Sequence, residues 1–376
     1  MVGNRMRINS VTYQILETKM NNSVNHKKST PFKWIRKTFS LRVRTSSWTS
    51  GWRLAVQTGF LLSSLFMGWQ FWRFYSAAVT TTTGDLSYRP PGVEGYLPIS
   101  GLMGAIDWFY QGSLNIVHPA ATILFLTFLG MSILLRKAFC GWICPVGFIS
   151  ENLARVGQLI FGRNFRPSGI IDNPLRSIKY LLLGFFVWAI FSMTPTALHS
   201  FIESPYNKIA DIKMMLFFVN IGKVGGIILA ALAGLSIFIQ GFWCRYLCPY
   251  GALLGLFSWI SPFKVRRDPI SCIDCGLCDK VCPARLPVMT KLEIISPECI
   301  GCADCVTSCP VKGALLIGIP ERSFNAKRLA VLIVLFFVIG YSAARVGGVW
   351  SSGLTDDDYR YHIQNRDGEE YGHPGR

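Results

Sequence analysis

Between Cys272 and Pro310 the chain reads C-x2-C-x2-C-x3-C-P twice, first as CIDCGLCDKVCP and then as CIGCADCVTSCP. Three thiols separated by two-residue gaps must curl one short loop around a common centre, which restricts the fold more than any other feature of the sequence. Soft thiolates favour iron–sulfur clusters. In the bacterial-ferredoxin run the fourth cysteine, before the proline, ligates the other cluster. The spacing therefore assigns Cys272, Cys275, Cys278 and Cys309 to one four-iron cluster, and Cys299, Cys302, Cys305 and Cys282 to a second. Gly276 and Gly301 fall inside the loops, where the backbone must bend closely.

Two other uses of clustered cysteines compete with this reading. Paired C-x2-C units also build zinc ribbons, but zinc leaves the doubled cadence unexplained. A disulfide framework requires an oxidising compartment, whereas the charge pattern below puts these cysteines on the cytoplasmic side.

A length of 376 residues would ordinarily suggest two or three domains, but 51% of residues are hydrophobic and only 16% are charged. The chain reads as an α-helical membrane protein of about five transmembrane helices, with a bacterial-type two-cluster ferredoxin domain (α+β) inserted at residues 268–319. A net charge of +17 raises the question of nucleic acid, but the basic residues flank apolar runs as the positive-inside rule expects. No nucleic-acid motif accompanies them, and none is expected as a partner.

Residues 1–51 hold ten basic residues against the single acid Glu17. They read as a flexible cytoplasmic segment lying against anionic lipid. The apolar run that follows lacks an evident cleavage site, so an uncleaved anchor is expected. Spans are predicted at 52–79, 118–135, 180–198, 221–242 and 329–350. Outer loops are predicted at 80–117 and 199–220, and an acidic outer tail at 351–376. An amphipathic helix is predicted at 149–161, from Ile149, Leu153, Val156 and Ile160. The resulting topology has the amino terminus and the ferredoxin insert in the cytoplasm and the carboxy terminus outside.

A second repeat lies at the inner membrane edge, where FCGWICPVGFI at 139–149 matches WCRYLCPYGAL at 243–253. It contains the remaining four cysteines, Cys140, Cys144, Cys244 and Cys248. If each motif is helical, its two thiols share a face, and the two hairpins can gather four thiolates into a third metal or redox site. Alternatively the thiols simply pack, since cysteine suits apolar interiors. The sequence leaves both readings open.

With both cysteine patterns, PGVEGYLPISGLM and HPAATILF, the chain resembles the membrane polyferredoxin family of the NapH, NosR and YccM type over about residues 50–345. The resemblance implies cytoplasmic clusters that pass electrons between the quinone pool or a soluble donor and a partner redox protein. Two departures stand out. TTTTGD is too short for the flavin domain carried by the nitrous oxide regulator, and the fifth span exceeds the four helices of the nitrate-system subunit.

His118 and His199 fall at the outer ends of predicted spans and are candidates for a quinone site, since polar groups at a bilayer boundary can bind a quinone oxygen. The other histidines lie in the tails. No nucleophile or acid–base pair marks an independent catalyst. The expected role is an electron-transfer subunit of a respiratory complex in the bacterial inner membrane. Its expected partners are other redox subunits, the quinone pool and membrane lipids. A maturation or regulatory factor for a periplasmic reductase, or a thiolate metal-handling protein, is the alternative.

Overall fold

The computed structural model describes residues 50–372 except Thr83 and Arg166, so the basic segment expected at 1–51 lies almost wholly outside the described residues. Helix α1 spans Gly51–Thr80 and starts at Ser50, whose hydroxyl accepts a hydrogen bond from the Arg53 amide. The expected outer loop is itself largely structured, with a 3₁₀ turn at Pro91–Tyr96 and helix α2 at Pro98–Gln111. Then follow α3 at Pro119–Leu135, α4 at Pro145–Phe161 and α5 at Gly169–Phe191. Helix α4 covers the predicted amphipathic segment.

Beyond α5 come α6 at Pro195–Ile202, α7 at Pro205–Lys208, α8 at Ala210–Val219 and α9 at Lys223–Phe238. Helix α10, Pro249–Ser258, leads into the insert. There, strands β1 (Lys264–Arg267), β2 (Glu293–Ile294), β3 (Leu315–Ile319) and β4 (Arg322–Ser323) form an antiparallel sheet in the order β2-β1-β3-β4. Val265 faces Ile294 on one side and Ile317 on the other. Two short helices, α11 (Leu277–Val281) and α12 (Asp304–Thr307), follow the cysteine loops, and α13 (Ala326–Val346) leaves the insert. Helix α14, Asp356–Gln364, begins with a capping box between Thr355 and Asp358.

A helix stands at each of the five predicted spans, but not all suit a bilayer by length and composition. Among the described residues, α5 and α13 are long and apolar enough to cross, and a third span exists if α8 and α9, bent by 81°, form one broken crossing. Helix α3 is apolar throughout, but its 17 residues reach only about 26 Å at 1.5 Å per residue, against a hydrocarbon core of about 30 Å. Arg136 stops it with a positive φ of 63°. Helix α1 is long enough, but its buried face includes Arg53 and Gln57. The third predicted span is also displaced: its helix starts at Gly169, and a break before Pro195 separates it from α6.

The insert shares its core with the helices. Leu124, Phe128, Met131, Leu135 and Trp142 pack in one cluster with Phe263, Val265, Ile294, Ile317, Leu329 and Ile333. A separate cluster joins Phe71, Phe74 and Tyr75 of α1 to Ile209, Ile212, Tyr359, Ile363 and Tyr371. The expected acidic tail is therefore a folded cap. Its Arg360 donates to the Gly84 carbonyl at 2.5 Å and its Gln364 to the Ala78 carbonyl at 3.2 Å. His362, treated from sequence as a tail residue, is held by the Tyr371 hydroxyl at 2.8 Å.

Candidate iron–sulfur and thiol sites

Each ferredoxin-type loop places residues with left-handed backbone in both of its two-residue gaps. In the first loop these are Asp274 (φ 51°) and Gly276 (φ 70°), and in the second Gly301 (φ 60°) and Ala303 (φ 63°). The conformation therefore repeats while the glycine changes place. A non-glycine residue there costs roughly 1–2 kcal/mol, a strain that turns three sulfurs inward. Gly276 and Ala303 then begin α11 and α12.

The cysteines line two pockets. Cys272, Cys275, Cys278 and Cys309 surround one, with Leu277, Met289 and Leu315. Cys282, Cys299, Cys302 and Cys305 surround the other, with Val265, Leu286 and Ile294. Each fourth cysteine thus stands beside the three of the other run. Among the described residues no three His, Cys, Asp or Glu side chains are close enough to hold a single metal ion. Four soft donors arranged around a space wider than one ion fit a multi-atom cluster better than zinc. As free thiols, Cys278 and Cys282 are pushed by burial to about 12 and about 11, so a bound group must displace their protons.

The pocket of Cys282, Cys299, Cys302 and Cys305 lies against the membrane helices. The Trp142 indole N–H donates to the Gly301 carbonyl at 3.0 Å. Arg245 donates to the Ala284 carbonyl at 2.8 Å and holds Asp172 through both oxygens, at 2.9 and 2.7 Å. The Lys179 ammonium meets both oxygens of Glu298, the residue before Cys299, at 2.6 and 2.7 Å. Arg136 donates to the carbonyls of Ile294 and Ser296 at 2.7 and 3.0 Å. Arg136 and Lys137, which the sequence suggests as the charged end of a span, are both buried.

The two edge motifs are not α-helical. Residues Phe139–Ile143 and Trp243–Leu247 each form a single π turn, closed by Cys144 N–H on the Phe139 carbonyl at 2.9 Å and Cys248 N–H on the Trp243 carbonyl at 3.0 Å. The reason is the following proline, which disfavours helical backbone in the residue before it. Cys144 and Cys248 are accordingly extended, and Pro145 and Pro249 open α4 and α10. In the first motif the glycine is needed for space, because a Cβ on Gly147 would lie 2.7 Å from the Cys140 carbonyl oxygen, whereas a Cβ on Gly251 of the second would approach no atom closer than Cys248 Sγ at 3.4 Å.

The fold brings all four edge thiols into electrostatic reach of one another, Cys244 with Cys140, Cys144 and Cys248, and Cys140 with Cys144 and Cys248. Lys137 faces Cys140, Cys244 and Cys248. Burial pushes Cys140 to about 12 and Cys144 to about 11.

The two candidate histidines belong to separate networks. His118 Nε2 is 2.7 Å from the Asn207 carbonyl oxygen and its Nδ1 is 3.5 Å from Glu94. Arg89 bridges Glu94 and Asp211 at 2.9 and 2.6 Å. His199 Nδ1 is 3.2 Å from both oxygens of buried Asp107. Among the described hydrogen bonds none joins the two histidines.

The sequence reading missed Arg53, Asp172, Lys179, Glu298 and Asp304 as site residues. For Arg53, Asp172 and Lys179 the available signal is a charge at or inside an apolar stretch; for Glu298 and Asp304 it is an acid beside a cysteine.

Family models agree with this geometry. A 4Fe-4S binding domain matches residues 117–166 and 221–268, one edge motif in each, and a 4Fe-4S dicluster domain matches residues 264–310. The YccM protein of Escherichia coli K12 is 43% identical over 321 residues, covering 82% of this chain and 88% of that protein. The ferredoxin-type protein NapH of Haemophilus influenzae is 26% identical over 53% of this chain and 67% of its own length. The regulatory protein NosR of Pseudomonas aeruginosa is 26% identical over 66% of this chain but only 32% of its own length. No solved structure matches. With these models on its cysteine runs and a 43% identical relative matched along most of both lengths, the chain belongs to the membrane polyferredoxin family, the iron–sulfur membrane proteins of the YccM, NapH and NosR type.

Proposed function

We propose that the chain is the iron–sulfur electron-transfer subunit of a respiratory complex in the bacterial inner membrane, passing electrons between the quinone pool or a cytoplasmic donor and partner redox proteins. The observation that carries this reading is the pair of four-cysteine pockets with crossed membership. Cys272, Cys275, Cys278 and Cys309 would hold one four-iron cluster, and Cys282, Cys299, Cys302 and Cys305 a second. Such a group takes up and releases one electron at a time. The chain's own residues supply burial, fixed charge and docking. The names of YccM, an electron transport protein, and NapH, a ferredoxin-type protein, favour the same role.

In this reading the insert faces the cytoplasm and the carboxy terminus the periplasm, with lipid around α5 and α13. The pocket beside Trp142 and Arg245 is the one nearest the membrane helices and the edge thiols, so electrons would enter or leave through the pocket of Cys272. His118 and His199 remain the candidates for a quinone contact, each already oriented by a carboxylate.

A second reading concerns Cys140, Cys144, Cys244 and Cys248. Their gathering and the 4Fe-4S model matched on both edge segments favour a third shared group there. Iron analysis of anaerobically purified protein tests both readings. Two clusters give about eight irons, and a third cluster raises this to about twelve. Stoichiometric zinc without a reducible paramagnetic signal would overturn the proposal.

A further inference from the structure

Arg53 stands at the start of α1, about ninety positions before the edge motif and far from the insert in sequence, yet its side chain is 1% exposed. Its Nε donates to the Gly141 carbonyl at 2.8 Å, inside the first edge motif. One terminal nitrogen reaches Glu151 of α4 at 3.1 Å and Asp304 at 2.5 Å, and the other reaches Glu151 at 2.7 Å. Asp304 lies between Cys302 and Cys305, is itself 0% exposed, and its second oxygen accepts no hydrogen bond. The Arg53 charge also faces Cys302. One guanidinium therefore ties together α1, the edge motif, α4 and the second cysteine loop.

We propose that Arg53 is a positioning residue that clamps the second cysteine loop to the membrane helices and sets the reduction potential of the group held by Cys282, Cys299, Cys302 and Cys305. The inference rests on the iron–sulfur reading above. Two carboxylates, half-buried Glu151 beside that loop and buried Asp304 within it, bear on the site, and Arg155 neutralises part of Glu151 from 3.5 Å. Arg53 balances the remainder. Adding an electron to a group already bounded by four thiolates increases negative charge in a low-dielectric site, so a nearby fixed cation favours the reduced form. The other pocket, of Cys272, Cys275, Cys278 and Cys309, has no contact with this fork and should be indifferent to it. Only arginine can make four such bonds from one planar group, since lysine offers a point charge on a flexible stem.

The test is a redox titration of the purified full chain, followed by electron paramagnetic resonance, in wild type, R53Q, R53K and E151Q. R53Q removes the cation and should lower the potential of one signal by at least 59 mV, a tenfold weakening for a one-electron couple, leaving the other in place. E151Q removes an opposing carboxylate and should move the same signal upward. R53K keeps the charge and should hold the potential closer to wild type than R53Q does. Because R53Q risks loss of the loop, E151Q, whose side chain is 12% exposed, provides an independent arm. No shift in either variant with both signals present, or equal shifts of both signals, overturns the role of Arg53. A wild type with a single titrating signal would instead overturn the two-cluster reading on which it rests.

Discussion

Cys282 follows Cys278 by one turn of α11, yet it lines the pocket of Cys299, Cys302 and Cys305, while Cys309 crosses the other way. The chain is thus laced so that neither pocket is complete without both runs. Cys278→Ser should remove about four of eight irons and one paramagnetic signal, and Cys282→Ser should remove the other signal, because each replaces a soft thiolate by a hard hydroxyl. Loss of the same signal in both variants would refute the crossing. The sequence leads one to expect this pairing because a rigid spacing dictates it. The charged fork of Arg53, Glu151 and Asp304 was not legible there, since its members lie up to 251 positions apart and nothing local distinguishes a buried arginine at a helix start from an interfacial one.

At the scale of elements, a helix stands at each expected span, the second ending at Leu135 as expected and the third starting earlier, at Gly169. Arg136, the residue after α3, turns to bind carbonyls of the insert, a contact invisible to hydropathy. The edge motifs became π turns because a proline follows each second cysteine. Close packing beyond them is equally specific: at Gly157 of α4, a Cβ would lie 1.9 Å from the Ile237 carbonyl oxygen of α9. Gly157→Ala must therefore separate the two helices. Overpacking of this kind costs about 1–3 kcal/mol. The variant should show a lower melting temperature in detergent, with its iron content retained when measured below that temperature. An unchanged melting temperature would mean that α4 and α9 do not meet there.

Across the whole molecule, chemistry and packing divide between separate hydrophobic cores. All twelve cysteines lie in the insert or in the two edge motifs beside it, and the insert is fused to those motifs by one hydrophobic core. The second core, built by α1, α8 and the folded tail, contains no cysteine. Beside it lies the network of His118, Glu94, Arg89 and Asp211, with Arg89 over the Tyr359 ring, while His199 and Asp107 pair next to a third cluster of Met103, Leu198 and Ile202. If a hydrocarbon core of about 30 Å separates this second core from the cysteines, the described residues offer electrons no cysteine station beyond it. We therefore expect that purified protein in sealed, quinone-free vesicles, reduced from the insert side, will pass electrons to an impermeant acceptor on the other side no faster than vesicles without protein. Adding a membrane-soluble quinone should start the flow. If it does so in wild type and is slowed by replacing His118 or His199, those residues belong to the quinone contact. Rapid acceptor reduction without quinone would instead require a redox group at the outer face, and the buried His118 network would be the first place to look for its ligands.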